Sequence, residues 1–315
     1  MAIVRLLHLS DLHIVRENRL LYQINGLSVY DPDALRALAQ FVHVNRDAID
    51  AILISGDIAH AGLRSDLSRA VEFFVSPGGF SPGEPWLDAK RKPTLKTFQK
   101  PIIVVPGNHD RYDGRLGLPN GKLFDGYFSS FWRPHSGAIQ PFSLPDENDA
   151  LLTIICADFT LETFKDCVPF GHWGQGMVYR KRLLKLIEHT RQINSTKPNS
   201  AIIWMLHFAP KFEDHCQLNF FMRLLDSDSL IHQAEKTGVQ YLVCGHTHHY
   251  AIYKTGTNQA VKIHCAGTSA CIVGTEDTSI HLLEIETAKS SVEKFRCVPL
   301  WWNPAQLIFQ TVRTN

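Results

Sequence analysis

Short apolar runs rich in β-branched residues alternate along the chain with longer segments whose apolar positions recur at helical spacing. The runs 2–9, 51–54, 101–105, 201–206 and 241–244 are bounded by Gly or polar residues, lengths and flanks that fit buried strands better than helices. Helical patterns fall at 31–45, with Asp31 placed to cap and Pro32 in the first turn, and at 65–75, 180–191 and 228–237. Strands alternating with helices predict a layered α/β fold. Beyond residue 250 the segments 260–267, 279–286 and 293–300 read as β-rich and are expected to extend a second sheet. Two stretches, 76–100 and 114–150, are long, irregular and rich in Pro and Gly, and are expected to be lid or loop insertions over the site.

Composition narrows the class. The 315 residues are 44% hydrophobic and 20% charged, which excludes long disorder and fibrous architectures and predicts one domain over 1–315. Lys+Arg of 32 against Asp+Glu of 31 leaves a net charge of +1, with no field of one sign to attract nucleic acid or an acidic membrane. A basic cluster with aromatics nearby (Lys90, Arg91, Lys92, Lys96, Trp86, Phe98) reads as a solvated loop. The seven cysteines form no CxxC pair, and no apolar run is long enough to span a bilayer. A soluble, cytoplasmic protein with reduced thiols is expected. Histidine stands out at 16 residues, and points to a metal.

The chemistry sits where the apolar runs end. Asp11 and His13 follow the first run, Asp57 the second, and Asn108, His109 and Asp110 the third; His207 ends the fourth, and His246 and His248 follow the fifth. Ligands gather at the carboxyl ends of strands in such sheets, so these five ends are expected to converge on one rim. Carboxylate oxygen and imidazole together suit Mn, Fe or Zn. The two-residue spacing within Asp11/His13 and His246/His248 would keep each pair on one side of an extended backbone. Gly56, Gly107 and Gly245 would let the chain turn sharply beside them.

In order, these segments spell DxH, GD, GNHD, H and GHxH, and the chain resembles the calcineurin-like metallophosphoesterases over residues 11 to 248. That resemblance implies an α-β-β-α sandwich of two mixed sheets with flanking helices. It also implies a centre of two divalent metal ions hydrolysing a phosphodiester by in-line attack of a metal-bound hydroxide. Asp11, His13 and His248 would hold one metal, Asp57 would bridge, and Asn108, His207 and His246 would complete the other. His109 would contact the phosphate and protonate the leaving oxygen, with Asp110 orienting its imidazole. Asn108, Arg16 and Arg111 are further candidates for holding substrate.

Departures within the family set the alternatives. Gly56-Asp57-Ile58-Ala59-His60-Ala61-Gly62 lacks the Arg of the protein phosphatases, and Asp110 stands where they carry Glu. The region from Cys156-Ala157-Asp158 to Gly176 is similar to the cyclic-nucleotide phosphodiesterase-like branch, although Leu206-His207-Phe208-Ala209-Pro210 lacks that branch's His-His-Pro. The leading expectation is a phosphodiesterase for a small, nucleotide-like substrate. A phosphomonoesterase or pyrophosphate hydrolase on a nucleotide or lipid-linked substrate, and a catalytically silent metal-binding interaction protein, are the alternatives. Oligomeric state is left open. His8, His60, His172, His249 and His264 are read as structural or exposed.

Overall fold

A computed structural model of the chain describes residues 2–15, 31–76, 94–112, 121–133, 138–145, 151–162, 174–211, 222–270, 278–288 and 290–311. In chain order its strands are β1 (Ala2–Leu9), β2 (Ala51–Ile54), β3 (Ile102–Val104), β4 (Ile139–Leu144), β5 (Leu152–Ala157), β6 (Gly176–Met177) and β7 (Ala201–Met205). The remainder are β8 (Leu224–Leu225), β9 (Tyr241–Cys244), β10 (Ala251–Thr255), β11 (Val261–Cys265), β12 (Ser279–Ala288), β13 (Ser291–Asn303) and β14 (Ile308–Gln310). The helices are α1 (Pro32–Asn45), α2 (Arg64–Val75), α3 (Leu123–Tyr127), α4 (Arg180–Thr196) and α5 (Ser227–Thr237).

Two mixed sheets carry the fold, in the orders β14-β13-β12-β1-β2-β3 and β10-β11-β9-β7-β5-β4, with β6 and β8 forming a small separate pair. The strands read from the apolar runs lie side by side and parallel, β1-β2-β3 in the first sheet and β7-β9 in the second, and β5, which is not among those runs, pairs in parallel with β7. The C-terminal strands divide. β10 and β11 extend the second sheet as expected, but β12, β13 and β14 return to the first, where β12 pairs antiparallel with β1.

Period-2 alternation explains why these strands read as continuous apolar runs. In β7, Ala201, Ile203 and Met205 face the core between the sheets, while Ile202 and Trp204 face a second core under α4 and α5. β9 repeats this with Tyr241 and Val243 inward against Leu242 and Cys244 outward. Each strand is buried on both faces. Helix α4 contributes Leu183, Leu186 and Ile187 to the second core, and α5 contributes Leu230, Ile231 and Ala234. The buried Trp204 indole N–H donates to Thr190 Oγ1 of α4 at 3.0 Å, tying helix to sheet. On the other side α1 and α2 pack Leu35, Leu38, Phe73 and Phe74 against the first sheet.

Local signals hold where they were read. Asp31 Oδ1 accepts from the Asp33 and Ala34 amides at 2.8 and 3.2 Å, with Pro32 opening α1, and Trp302 Nε1 donates to Asp31 Oδ2 at 2.9 Å. Of the stretch 114–150, the described residues form α3 and β4, and Phe124, Phe128 and Trp132 are fully buried in the core. Most of 76–100 lies outside the described residues, as do Arg16, His172 and the basic residues at 90–92. The described cysteines 156, 244, 265 and 297 are free thiols. No described helix is long and apolar enough to cross a membrane.

Candidate metal centre

The parallel strands of both sheets end at one rim, where the backbone leaves extended geometry. Asp11, His13, Asp57, His246 and His248 have φ of 52°, 45°, 50°, 73° and 58°. Side chains other than Gly rarely adopt this left-handed region, and its clustering marks a functional site. It also corrects the basis expected for the pairing: Asp11 and His13 converge because each sits in a left-handed turn, not because they share one side of an extended strand. The turns are held by β1 and β2 continuing to pair past their ends, Asp11 N to Gly56 O at 3.0 Å and His13 N to Asp57 O at 2.9 Å.

The three glycines divide by reason. Gly56 has φ of +101°, but Gly107 and Gly245 are needed for close approach. A Cβ on Gly107 would meet Asp57 Oδ1 at 2.1 Å and the Asp57 amide at 2.4 Å, and one on Gly245 would meet Ser10 Oγ at 1.7 Å.

Each carboxylate anchors one oxygen on a backbone amide and aims the other at imidazoles. Asp11 Oδ2 accepts from His246 N at 3.0 Å, and Oδ1 lies 3.3 Å from His248 Nε2 and 3.9 Å from His13 Nε2. Asp57 Oδ1 accepts from His109 N at 2.9 Å, and Oδ2 lies 3.3 Å from His207 Nε2 and 3.9 Å from His13 Nε2. His13 and His248 bring their Nε2 atoms within 3.2 Å, and His246 Nδ1 lies 3.1 Å from His207 Nε2. Two donor groups result, Asp11–His13–His248 and Asp57–His207–His246, with the ligand atoms of each within 4.8 Å of one another. Asp57 Oδ2 reaches toward both. Asn108 Oδ1 joins the second group, 3.0 Å from His207 Nε2.

Outer contacts aim these donors, as they do around bound metals. His207 Nδ1 donates to the Ser55 carbonyl at 2.7 Å, and His246 Nε2 to the Met222 carbonyl at 3.2 Å. Asn108 Nδ2 donates to Tyr112 Oη at 2.7 Å, leaving its carbonyl oxygen turned inward. Neither Ser55, Met222 nor Tyr112 carried a signal in the sequence, because two act through backbone carbonyls and the third through a single hydroxyl.

The electrostatics suit cations. Burial alone would raise both carboxyls, yet His248 and His207 hold Asp11 low, and His207 and His109 hold Asp57 low. Burial would depress His207, but Asp57 lifts it to about 9. His246 is pushed down to about 3, first by burial and then by the charge on His207, and His13 falls well below its ordinary value by burial and His109. Ionised carboxylates and the neutral imidazoles of His13 and His246 offer the lone pairs a divalent metal takes, while His207, held protonated by Asp57, would release its proton on binding one. Two oxygen-and-nitrogen donor groups sharing one carboxylate fit a pair of divalent ions.

His109, Asp110 and Arg111 point three ways. His109 Nδ1 is held by the His60 carbonyl, and its Nε2 lies 4.0 Å from Asp57 Oδ2 with the side chain a quarter exposed. Its ring also belongs to a third donor group with His13 and His60, so His60, read as structural, is part of the site through both ring and carbonyl. Asp110 does not bond the His109 imidazole. Its carboxylate accepts from the amides of Ile58, Ala59 and Gly107 at 3.2, 2.8 and 2.9 Å, locking the β2 and β3 loops together. Burial and the charge on Asp57 raise it to about 7 against those bonds. Arg111 is buried away from the rim. Its Nη2 bonds Asp158 Oδ2 and its Nη1 bonds Asp125 Oδ1, both at 2.8 Å.

Two sheets with paired donor groups on their shared rim define a protein built to hold two metal ions. The family model for calcineurin-like phosphoesterases matches residues 4–250, and the chain belongs to that family of dimetal phosphoric ester hydrolases. No curated protein matches it. Among solved structures it is similar to a dimetal phosphatase from Danio rerio, at 12% identity over 93% of this chain and 98% of that one, with a TM-score of 0.55. It is similar to purple acid phosphatase PPD1 from yellow lupin seeds at 13% identity, covering 94% of this chain and 53% of that one, TM-score 0.55. A third likeness is the calcineurin-like phosphoesterase YfkN from Bacillus subtilis, 13% identical over 94% and 90% of the two chains, TM-score 0.50. At these identities the likeness is one of fold.

Proposed function

We propose that the protein is a phosphodiesterase for a small, nucleotide-like phosphodiester, acting from the rim as one catalytic unit over 1–315. The observation that carries this reading is Asp57 Oδ2, set between two donor groups with His109 Nε2 beside it. Asp11, His13 and His248 would hold one ion, and Asn108, His207 and His246 the other, with Asp57 between. Two divalent ions of the Mn, Fe or Zn class supply activated water and charge neutralisation of the phosphoryl oxygens when bound.

The chain's own residues do the rest. Asn108 adds a neutral oxygen, which limits the negative charge an incoming anion meets. His109, its Nδ1–H fixed on the His60 carbonyl, presents Nε2 to the leaving oxygen and passes it a proton as the P–O bond breaks and water oxygen bonds phosphorus. Diester preference is supported by Arg111: the arginine of the third block is spent on Asp158 and Asp125, so it does not neutralise the second charge of a monoester. Free buried thiols support a reducing, cytoplasmic setting.

Hydrolysis of bis-p-nitrophenyl phosphate and p-nitrophenyl phosphate by the Mn-loaded protein tests the reading, with His109→Ala alongside. The diester is expected to be preferred, and the variant to lose about 10²–10⁴ in turnover while keeping its metals. A monoester preference would refute the diester assignment, and an unaffected His109→Ala would refute the role of His109. Cyclic 3′,5′-nucleotides are the next substrates to try.

A further inference from the structure

The loop after β2 places one more imidazole at the rim. Past the ends of β1 and β2 the two loops go on pairing: Ile14 N donates to Ile58 O at 2.8 Å, and His60 N to Ile14 O at 3.2 Å. The His60 carbonyl in turn accepts from His109 Nδ1. His60 is thus tied at its amide and at its carbonyl, and its place at the rim is set before any substrate arrives. The mechanism proposed above uses that carbonyl and gives the ring no task.

The ring stands among the reacting groups. Its centroid lies 5.5 Å from that of His13 and 5.5 Å from that of His109, and the His13 and His109 centroids are 4.7 Å apart. One ring nitrogen from each of the three falls within 4.8 Å of the other two. Three points so spaced fit a circle of radius about 2.8 Å, so one oxygen at its centre is within hydrogen-bond range of every corner.

The roles already placed on this triangle say which oxygen that is. His13 belongs to the donor group of Asp11 and His248. His109 gives Nδ1–H to the His60 carbonyl, which leaves Nε2 as the nitrogen it offers to substrate. The oxygen that meets Nε2 in the proposed reaction is the leaving one, and His60 closes on the same point.

We propose that His60 is a further catalytic residue, its ring N–H donating to the leaving ester oxygen that His109 protonates. The inference rests on the phosphodiesterase reading and on the role of His109 within it. As the P–O bond breaks, its electron pair passes to the leaving oxygen and the His109 proton follows. The His60 proton stays on its ring, and its hydrogen bond spreads the charge that builds up before the transfer is complete. The demand for that bond grows with the basicity of the leaving oxygen.

Replacing the side chain spares the carbonyl, so the ring can be tested apart from the hold on His109. The probes are diphenyl phosphate and bis-p-nitrophenyl phosphate with the Mn-loaded full-length protein; phenolate is the more basic leaving group. His60→Ala is expected to lose about 10²-fold in turnover on diphenyl phosphate and at least about 10-fold less than that on bis-p-nitrophenyl phosphate. Metal content by elemental analysis should match wild type, and His60→Gln, which keeps an N–H, should regain most of the loss. Equal losses on the two diesters, or no loss on either, would overturn the proposal and leave the ring as packing. Calorimetry with dibenzylphosphinate, in which methylene groups replace both ester oxygens, gives a readout free of turnover. Its affinity is expected to be the same in wild type and His60→Ala, because no ester oxygen is present for the ring to hold. A clear weakening in the variant would overturn the proposal, since the ring would then hold a non-bridging oxygen or shape the pocket. If the wild type hydrolyses only monoesters, the diester reading fails by itself, and phenyl phosphate against p-nitrophenyl phosphate decides His60 by the same contrast.

Discussion

Arg111 offers a sharp test of whether a residue beside the signature serves the substrate or the fold. Arg111→Met keeps an aliphatic stem and removes the guanidinium, together with its hydrogen bonds and its contact over Phe124, where the guanidinium carbon sits 5.5 Å from the ring centroid. Four bonds disappear: Nε and Nη2 to Asp158 Oδ2 at 3.2 and 2.8 Å, and Nη1 to Gly121 O and Asp125 Oδ1 at 3.0 and 2.8 Å. The two carboxylates matter unequally. Asp125 is 44% exposed, and a solvated pair of that kind is worth about 0–1 kcal/mol. Asp158 is 3% exposed, and Thr160 serves only its Oδ1, so the variant strands a charged Oδ2 in the interior. Breaking a buried pair in this way costs about 3–5 kcal/mol. An unfolding entropy of about 2.1 cal/mol/K per residue over the whole chain converts that into a fall in Tm of ~5–8 °C.

The pH dependence has a definite sign. Burial would raise Asp158, but Arg111 and then Arg182 hold its carboxyl below the ordinary value of 3.8. A depressed carboxyl contributes stability that is present above the unfolded value and lost as pH falls through the folded one. The gap between wild type and Arg111→Met should therefore be full near neutrality and narrow below about pH 4. Thermal melts across pH 3–8, with KM for the preferred phosphoester measured at neutrality, decide the matter. Adding Asp158→Asn to the variant should recover a large part of the loss, since the stranded charge is then gone. A Tm within about 1 °C of wild type together with a tenfold rise in KM would refute the structural reading and return Arg111 to the substrate.

Other sites give shorter tests. Gly107→Ala drives a methyl into Asp57, 2.1 Å from Oδ1 and 2.4 Å from its amide, so metal content and turnover should fall by at least about 100-fold while the circular dichroism spectrum is kept. Tyr112→Phe removes the acceptor that turns Asn108 inward, and metal affinity by titration should weaken by about 10-fold without a change in pH optimum. Asp31→Ala deletes the α1 cap and the Trp302 bond together, which should cost about 1–2 kcal/mol in urea denaturation and leave turnover unaltered.

What the sequence made legible follows from where each signal is stored. Strands such as β7 and β9 are buried on both faces, so Ala201–Met205 and Tyr241–Cys244 stand out as unbroken apolar runs. The α1 start is written in adjacent residues, Asp31 and Pro32, and needs no partner to be read. The return of β12 to pair with β1 is not so written, because 270 or more residues separate the strands and nothing in Ser279–Ala288 distinguishes one sheet from the other. The same distance hides the meeting of His8, His264 and His281, lone histidines in three apolar strands.

At the rim, the strand ends announced which residues gather but not how each side chain is turned. Asn108 to Arg111 form one tight turn, whose successive side chains diverge. Asn108 faces His207, His109 faces Asp57, Asp110 folds back onto three amides, and Arg111 enters the interior beside Asp158. Proximity to the signature therefore predicted two of these four orientations and misdirected two, since neighbours in a helical turn are set roughly 100–120° apart. The proposed chemistry, Asn108 toward a metal and His109 toward the leaving oxygen, requires only the first pair to face the rim. The second pair faces the other way because the same turn must also be fastened to the β2 loop and to the core behind it, and a buried carboxylate and a buried guanidinium do that fastening.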